Sequence, residues 1–246
     1  MAGFGFALAG GAPAAGLERL FAKGEAGAWY DVADRLTLFE DAAGTVPAAI
    51  DGPVGRIADK SGNGNHAVQA AAQQRPVLRQ EAGRLFLEFD GVDDFMAAQF
   101  ALPQPWDRVS AVRQLSWTNL DRIFGGATDL TGRLLQSGAE PNIAIHSGGQ
   151  LSCEPDPAVG VQTGVVTERH AGAASRVAFN GFPYALGNAG TMAANGISLA
   201  ASIVDGAGIN CGHVRIYGVL AIGRALGEAE TGAVRRFLAA RAGVAI

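Results

Sequence analysis

Three acidic side chains recur at short intervals in Arg84–Asp94, RLFLEFDGVDD: Glu88, Asp90 and Asp93. Alternate residues of an extended chain face the same way, so Glu88 and Asp90 share one face. Two carboxyl groups held about 5–5.5 Å apart can cleave a glycosidic bond, one as nucleophile and the other as general acid. Asp93 follows Gly91, which bends the strand, so its short side chain arrives through a turn instead of along the strand. On this reading the acidic residues are turn residues, and no catalytic residue is assigned.

A second polar stretch, Asp59–His66, reads DKSGNGNH without one apolar side chain. Two readings stand for it. Glycines supply positive φ and asparagines bond their own backbone, so the stretch can be a tight reversal capped by Asp59. Calcium wants about six to eight oxygens. Asp59, Asn63 and Asn65 offer three, and Asp90, Asp93 and Asp94 add more if the two loops meet. Calcium is the one cofactor these residues suggest.

Sugar recognition needs aromatic faces beside amide and carboxylate groups. Trp106, Trp117 and Tyr184 have such neighbours in Asn119, Asp121, Asn180 and Asn188, and these seven are the candidate carbohydrate contacts. The four histidines, His66, His146, His170 and His213, accompany no nucleophile in a G-x-S-x-G setting. Cys211 and His213 share a strand face, but a zinc site needs about four ligands. Cys153 and Cys211 make no disulfide framework.

Composition narrows the class of protein. The 246 residues are 48% hydrophobic with 35 glycines and a net charge of −4. Binding to nucleic-acid phosphates needs clustered cations, and the chain clusters only Arg235 and Arg236, so a nucleic-acid partner is not expected. The opening MAGFGFALAGGAPAAG is too short and glycine-rich to insert in a bilayer and lacks a positive leader. Residues 1 to about 16 are expected to form an extended arm docked on another protein, the alternative being an arm folded back on its own domain.

Stepping along the chain, LERLF gives a turn or two of helix. Short alternating runs then follow between glycine-rich turns: Leu36–Phe39, Arg84–Asp90, Asn142–Ser147, Val177–Tyr184, Gly196–Val204 and His213–Gly223. Leu85, Leu87 and Phe89 fall on one face of their run. Such text predicts an all-β sandwich or barrel. Only ALGEAETGAVRRFLAARAG has helical spacing, in Leu226, Ala229, Ala233, Phe237 and Ala240, with arginines toward its C-terminal end and Gly243 as its stop.

Three of these stretches in sequence, Trp29–Leu78 with DKSGNGNH, FDGVDDF (Phe89–Phe95), and His213 to the end with I-Y-x6-R-x-L before a helix, resemble laminin-G-like, concanavalin A-like jelly-roll domains of tailed-phage and gene-transfer-agent surface proteins. The resemblance covers residues 29–246. It implies an all-β, two-sheet antiparallel jelly roll of roughly a dozen strands with a short C-terminal helix, residues 26–246 forming the domain and 1–25 an anchoring arm. It implies a head-spike or tail-fibre protein, multicopy or homo-oligomeric, held to other virion proteins by the arm, binding host surface polysaccharide, assembled in the bacterial cytoplasm and displayed on the particle. A non-enzymatic protein is therefore expected. The alternatives are a purely structural decoration module and a glycoside hydrolase of the same fold; glycanases of that fold carry a strand reading E-x-D-x-(x)-E, from which EFDGVD departs.

Overall fold

The computed structural model describes residues 16–127, 131–138, 142–153, 162–180 and 183–246. The expected docking arm of residues 1–16 lies almost wholly outside them.

Nineteen strands among the described residues form three sheets. The eight-stranded sheet contains, in spatial order, β15 (Ala185–Gly187), β14 (Ser175–Phe179), β13 (Gly164–His170), β8 (Trp106–Gln114), β19 (His213–Ile222), β6 (Arg84–Asp90) and β5 (Val77–Glu81), with β1 (Gly27–Asp31) also paired to β19. The nine-stranded sheet runs β12 (Gln150–Cys153), β11 (Asn142–His146), β10 (Arg133–Ser137), β9 (Arg122–Gly125), β16 (Ala194–Leu199), β7 (Met96–Leu102), β4 (Ala67–Val68), β3 (Arg56–Ile57) and β2 (Leu38–Phe39). A hairpin of β17 (Ser202–Val204) and β18 (Ala207–Ile209) makes the third sheet.

Side-chain alternation dictates how these layers stack. Leu87 and Phe89 of β6 enter a buried cluster shared with Val112, Val166, Val177 and Val219 of the same sheet and with Leu38, Met96, Ile123, Leu134, Ile145 and Ile197 of the nine-stranded one. Phe86 points the other way, into a second cluster with Trp29, Tyr217, Leu220 and Phe237. That second cluster lies beneath α1 (Glu228–Ala242), whose Phe237 meets Trp29 edge to face at 5.7 Å. Leu17, Leu20 and Phe21, in a 3₁₀ turn, join it. The eight-stranded sheet is therefore apolar on both faces. The segment entering α1 is tied to it by Asp107, whose carboxylate accepts two hydrogen bonds from Arg169 and one from the Leu226 amide.

The two-sheet jelly roll of about a dozen strands with a short helix is corrected here. A third sheet and nineteen strands are present, and α1 runs fifteen residues. The surplus comes from segments whose charged side chains hid them. WDRVSAVRQ and GVVTERH, β8 and β13, lie at the centre of the large sheet, and their Arg108, Glu168 and His170 are buried.

Candidate functional site

Asp90 ends β6 opposite His213, the first residue of β19. Gly91 follows with φ 75°, and a Cβ there would fall 2.8 Å from the His213 side chain, so the bend needs glycine. The Asp90 carboxylate accepts hydrogen bonds from the amides of Val92 (2.8 Å), Asp93 (3.3 Å) and Asp94 (3.3 Å), while Asp94 accepts one from the Asp90 amide (3.2 Å). This winding brings one oxygen from each of Asp90, Asp93 and Asp94 within 4.8 Å of the others. Such a group could hold a metal ion.

Two further segments close around that turn. Leu115 donates its amide to the His213 carbonyl at 2.8 Å, and Arg122 donates its amide to Asn210 at 2.8 Å and bridges to Cys211. Residues 90–94, 115–122 and 210–213 therefore share one end of the molecule. The Trp117 indole, half-buried, donates to the Gly138 carbonyl (3.1 Å), and the Asn119 side chain accepts from the Gly138 amide (2.9 Å). Asp121 lies between them and Arg122.

Acidic groups dominate the electrostatics of this end, with Arg122 among them. Burial, then the charge of Asp90, and to a smaller degree that of Asp93, push the Asp94 carboxyl up to about 7. Burial raises Asp121 as well. Burial and the four nearby aspartates lift the Cys211 thiol to about 11, which leaves it protonated and unreactive at neutral pH. Arg122 is held down to about 10 by burial first and by Arg133 second.

The other sequence candidates are distributed elsewhere. Asp59, Asn63 and Asn65 gather near Gly27, which pairs with Ile222 at the far end of β19. A ten-residue strand separates them from Asp90, roughly 30 Å, so the two calcium loops do not meet. The Asp59 carboxylate accepts from the Trp29 and Ser61 amides, the Ser61 hydroxyl and the Asn65 amide, and Asn63 and Asn65 donate to the Gly27 carbonyl. The loop holds β1 in place. Trp106 is 1% exposed and stacked on His170 at 3.9 Å, which leaves no ring face for a sugar. Asn180 accepts from the Val165 amide, Tyr184 lies under the Arg176 guanidinium, and Asn188 bonds the Gly190 amide. Glu88 faces outward and pairs with Arg215 at 2.8 Å. Of the seven proposed sugar contacts, Trp117 and Asn119 meet at Gly138, and Asp121 acts on Cys211 together with Asp90, Asp93 and Asp94.

Sequence reading missed a polar group inside the molecule. Arg108 makes two hydrogen bonds to Glu168, at 2.8 and 2.7 Å, and a third to the Gly132 carbonyl. His170 lies 3.4 Å from Glu168 and 2.8 Å from the Ser147 hydroxyl. Glu, His and Ser in that order suggest a hydrolytic triad, yet all three side chains are fully buried and the carboxylate is committed to Arg108. Burial pushes Glu168 up and Arg108 outweighs it, so the carboxylate stays ionised; burial holds His170 below its usual range. Only the unusual density of charge in T-E-R-H could have signalled this group.

No family model matches the sequence, and neither does any curated protein. Solved structures do share the fold. Trypanosoma rangeli sialidase in complex with sialic acid is 13% identical with a TM-score of 0.55, over 88% of this chain and 33% of the sialidase. An arabinofuranosidase complexed with arabinofuranosyl-α-1,2-xylobiose is 13% identical with a TM-score of 0.59, over 92% of this chain and 65% of that one. Domain 4 of AbnA, a GH43 extracellular arabinanase from Geobacillus stearothermophilus, was solved with arabinotriose; it is 12% identical with a TM-score of 0.54, over 86% of this chain and 98% of the domain. The chain spans about a third of the length of the sialidase chains it matches.

These likenesses overturn the resemblance to jelly-roll surface proteins of phages and gene transfer agents, because the fold is shared with chains of carbohydrate-active enzymes. The readings that hung on that resemblance fall with it: the head spike or tail fibre, the non-enzymatic assignment, the virion partners, and the particle surface assembled in a bacterial cytoplasm.

Proposed function

We propose that the chain is a carbohydrate-active protein of the glycoside-hydrolase kind, which engages an oligosaccharide at the end carrying residues 90–94, 115–122 and 210–213. The observation that carries this reading is Asp94. Its carboxyl, raised to about 7, lies in a turn with the half-exposed carboxyl of Asp93, their oxygens within 4.8 Å. A carboxyl raised so far can hold a proton to give, the role of a general acid, and Asp93 beside it is assigned the role of nucleophile. Asp94 protonates the glycosidic oxygen as the bond to the leaving sugar breaks, and Asp93 attacks the anomeric carbon. Water then cleaves the glycosyl–Asp93 ester while Asp94 takes back its proton. An approach within 4.8 Å leaves no room for the water that inverting enzymes place between carboxyls roughly 6.5–9.5 Å apart, so the retaining route is the one assigned. Trp117 and Asn119 offer a ring and an amide to the sugar. The arabinotriose complex of the AbnA domain supports a chain of this fold and size meeting a saccharide.

The test is incubation of the purified chain with arabino-oligosaccharides and with a sialoside, scoring sugar release and binding. Release should occur and fall at least about 10²-fold in Asp94→Asn and Asp93→Asn. Calorimetric binding without release removes the hydrolytic step and leaves the saccharide engagement. Neither binding nor release defeats the reading.

The same three carboxylates favour a second reading in which Asp90, Asp93 and Asp94 bind calcium, with water completing the oxygen shell. Calcium would ionise Asp94 and remove its acid role. Millimolar calcium that raises Tm in the wild type and not in Asp93→Asn supports this reading; an unchanged Tm in both ends it.

A further inference from the structure

The outer face of the eight-stranded sheet bears a separate concavity beside the last turn of α1. This cleft of about 140 Å³ is lined by Glu81, Arg84, Arg113, Thr163, Tyr217 and Ala242. Its charges do not balance. Arg215 pairs with both Glu88 and Glu81, and Arg79 pairs with Asp51 and Glu88, so the glutamates here are already engaged. Arg113 sits beside Arg215 in register, with its Nε buried and without a partner. Arg84 folds across Gly243, where an added Cβ would fall 2.0 Å from its guanidinium carbon. Neither Arg84 nor Arg113 has an ion pair or side-chain hydrogen bond among the described residues. Tyr217, 5% exposed, and Thr163 add hydroxyls to the lining.

A cation drawn out of water without a counter-charge is costly; half-buried Arg113, whose buried Nε has no partner, faces this cleft together with exposed Arg84. A guanidinium presents paired N–H donors that match the two oxygens of a carboxylate. A cleft of about 140 Å³ has room for a small acidic group between the two arginines. We infer that this cleft binds a carboxylate, the acidic group of a uronate-type sugar, between Arg84 and Arg113. The carboxylate preference stands on the arginines alone; its attachment to a sugar rests on the function proposed above.

The test titrates the full chain at low ionic strength with sodium glucuronate, glucose, sodium acetate and inorganic phosphate, followed by calorimetry and by shifts of the Arg Nε–H signals. Glucuronate should bind and glucose should not, acetate should compete with glucuronate, and Arg113→Gln should weaken glucuronate at least tenfold. Arg84→Gln, a change at an exposed position, should weaken it several-fold with Tm unchanged; it decides the matter if Arg113→Gln fails to fold. Equal glucuronate binding in the wild type and Arg84→Gln overturns the site, as does phosphate binding as tight as glucuronate. Acetate binding with no binding of glucuronate overturns the sugar assignment. Sugar release at Asp94 is scored separately, so its absence leaves these readings distinct.

Discussion

The acidic turn at Asp90–Asp94 and the internal group around Glu168 both concentrate charge, and they resolve it in opposite ways. Glu168 and Arg108 are 0% and 1% exposed and answer each other with paired hydrogen bonds, while His170 and Ser147 take up remaining contacts. Arg108 also reaches the Gly132 carbonyl beside the nine-stranded sheet, so the group pins the two large sheets together. The turn instead holds three carboxyls of one sign, with no cation among their side-chain partners in the described residues. Burial and the charge of Asp90 push the Asp94 carboxyl up to about 7, which eases the crowding of charge. Charge that is matched inside a protein fixes shape; charge left unmatched near a surface is available for chemistry.

Removing one member of the internal pin should have the largest effect. Glu168→Gln leaves Arg108 buried without its counter-charge and should cost about 3–5 kcal/mol in urea unfolding. A loss under about 1 kcal/mol would mean that the two regions do not differ as described.

Acidity should separate them more sharply. Asp94 has a folded pKa above its unfolded value, so between about pH 4 and pH 7 the folded chain binds more protons and stability falls as pH rises. The total is on the order of 3 kcal/mol. His170 is shifted the other way: below about pH 6.5 the unfolded chain binds more protons, and stability falls as pH drops. In Asp94→Asn the first trend should vanish and the second stand alone, so Tm should decline steadily on acidification from pH 7. A wild-type Tm that climbs from pH 4 to pH 7 as steeply as the variant's would refute the Asp94 assignment.

Smaller effects mark the edges of the comparison. Trp117→Ala should weaken oligosaccharide binding by roughly 0.5–1.5 kcal/mol, a few-fold to about tenfold in Kd. Gly227 begins α1 and donates its amide to Glu230 at 2.9 Å, but glycine has no side chain to return the bond. Gly227→Ser should add a few tenths of a kcal/mol, visible as a slight rise in Tm and no change at either charged region.

What the sequence disclosed divides along the same line. The alternation of Leu85, Leu87 and Phe89 and the spacing of Phe237 in α1 are local signals, and they name the buried faces directly. β8 and β13 went unread because Arg108, Glu168 and His170 look solvent-facing until partners about sixty residues apart are brought together. Trp106 was misleading for the same reason, since its stacking on His170 is a long-range pairing. The site was partly legible. Asp90, Asp93 and Asp94 form a group because they wind round one turn, whereas their nearness to Asp121 and Trp117 depends on Leu115 and Arg122 pairing with the segment before β19.

The strand β19 lies between β8 on one side and β6 and β1 on the other, and in chain order it follows every strand it joins. Until residue 222 emerges, the eight-stranded sheet is in three pieces, β15–β14–β13–β8, β6–β5 and β1, with unpaired edges. Edges of that kind recruit other chains, and long-range pairings form slowly. Nascent or prematurely terminated copies should therefore clump far more readily than the finished protein, and slower synthesis at low temperature should raise the soluble yield.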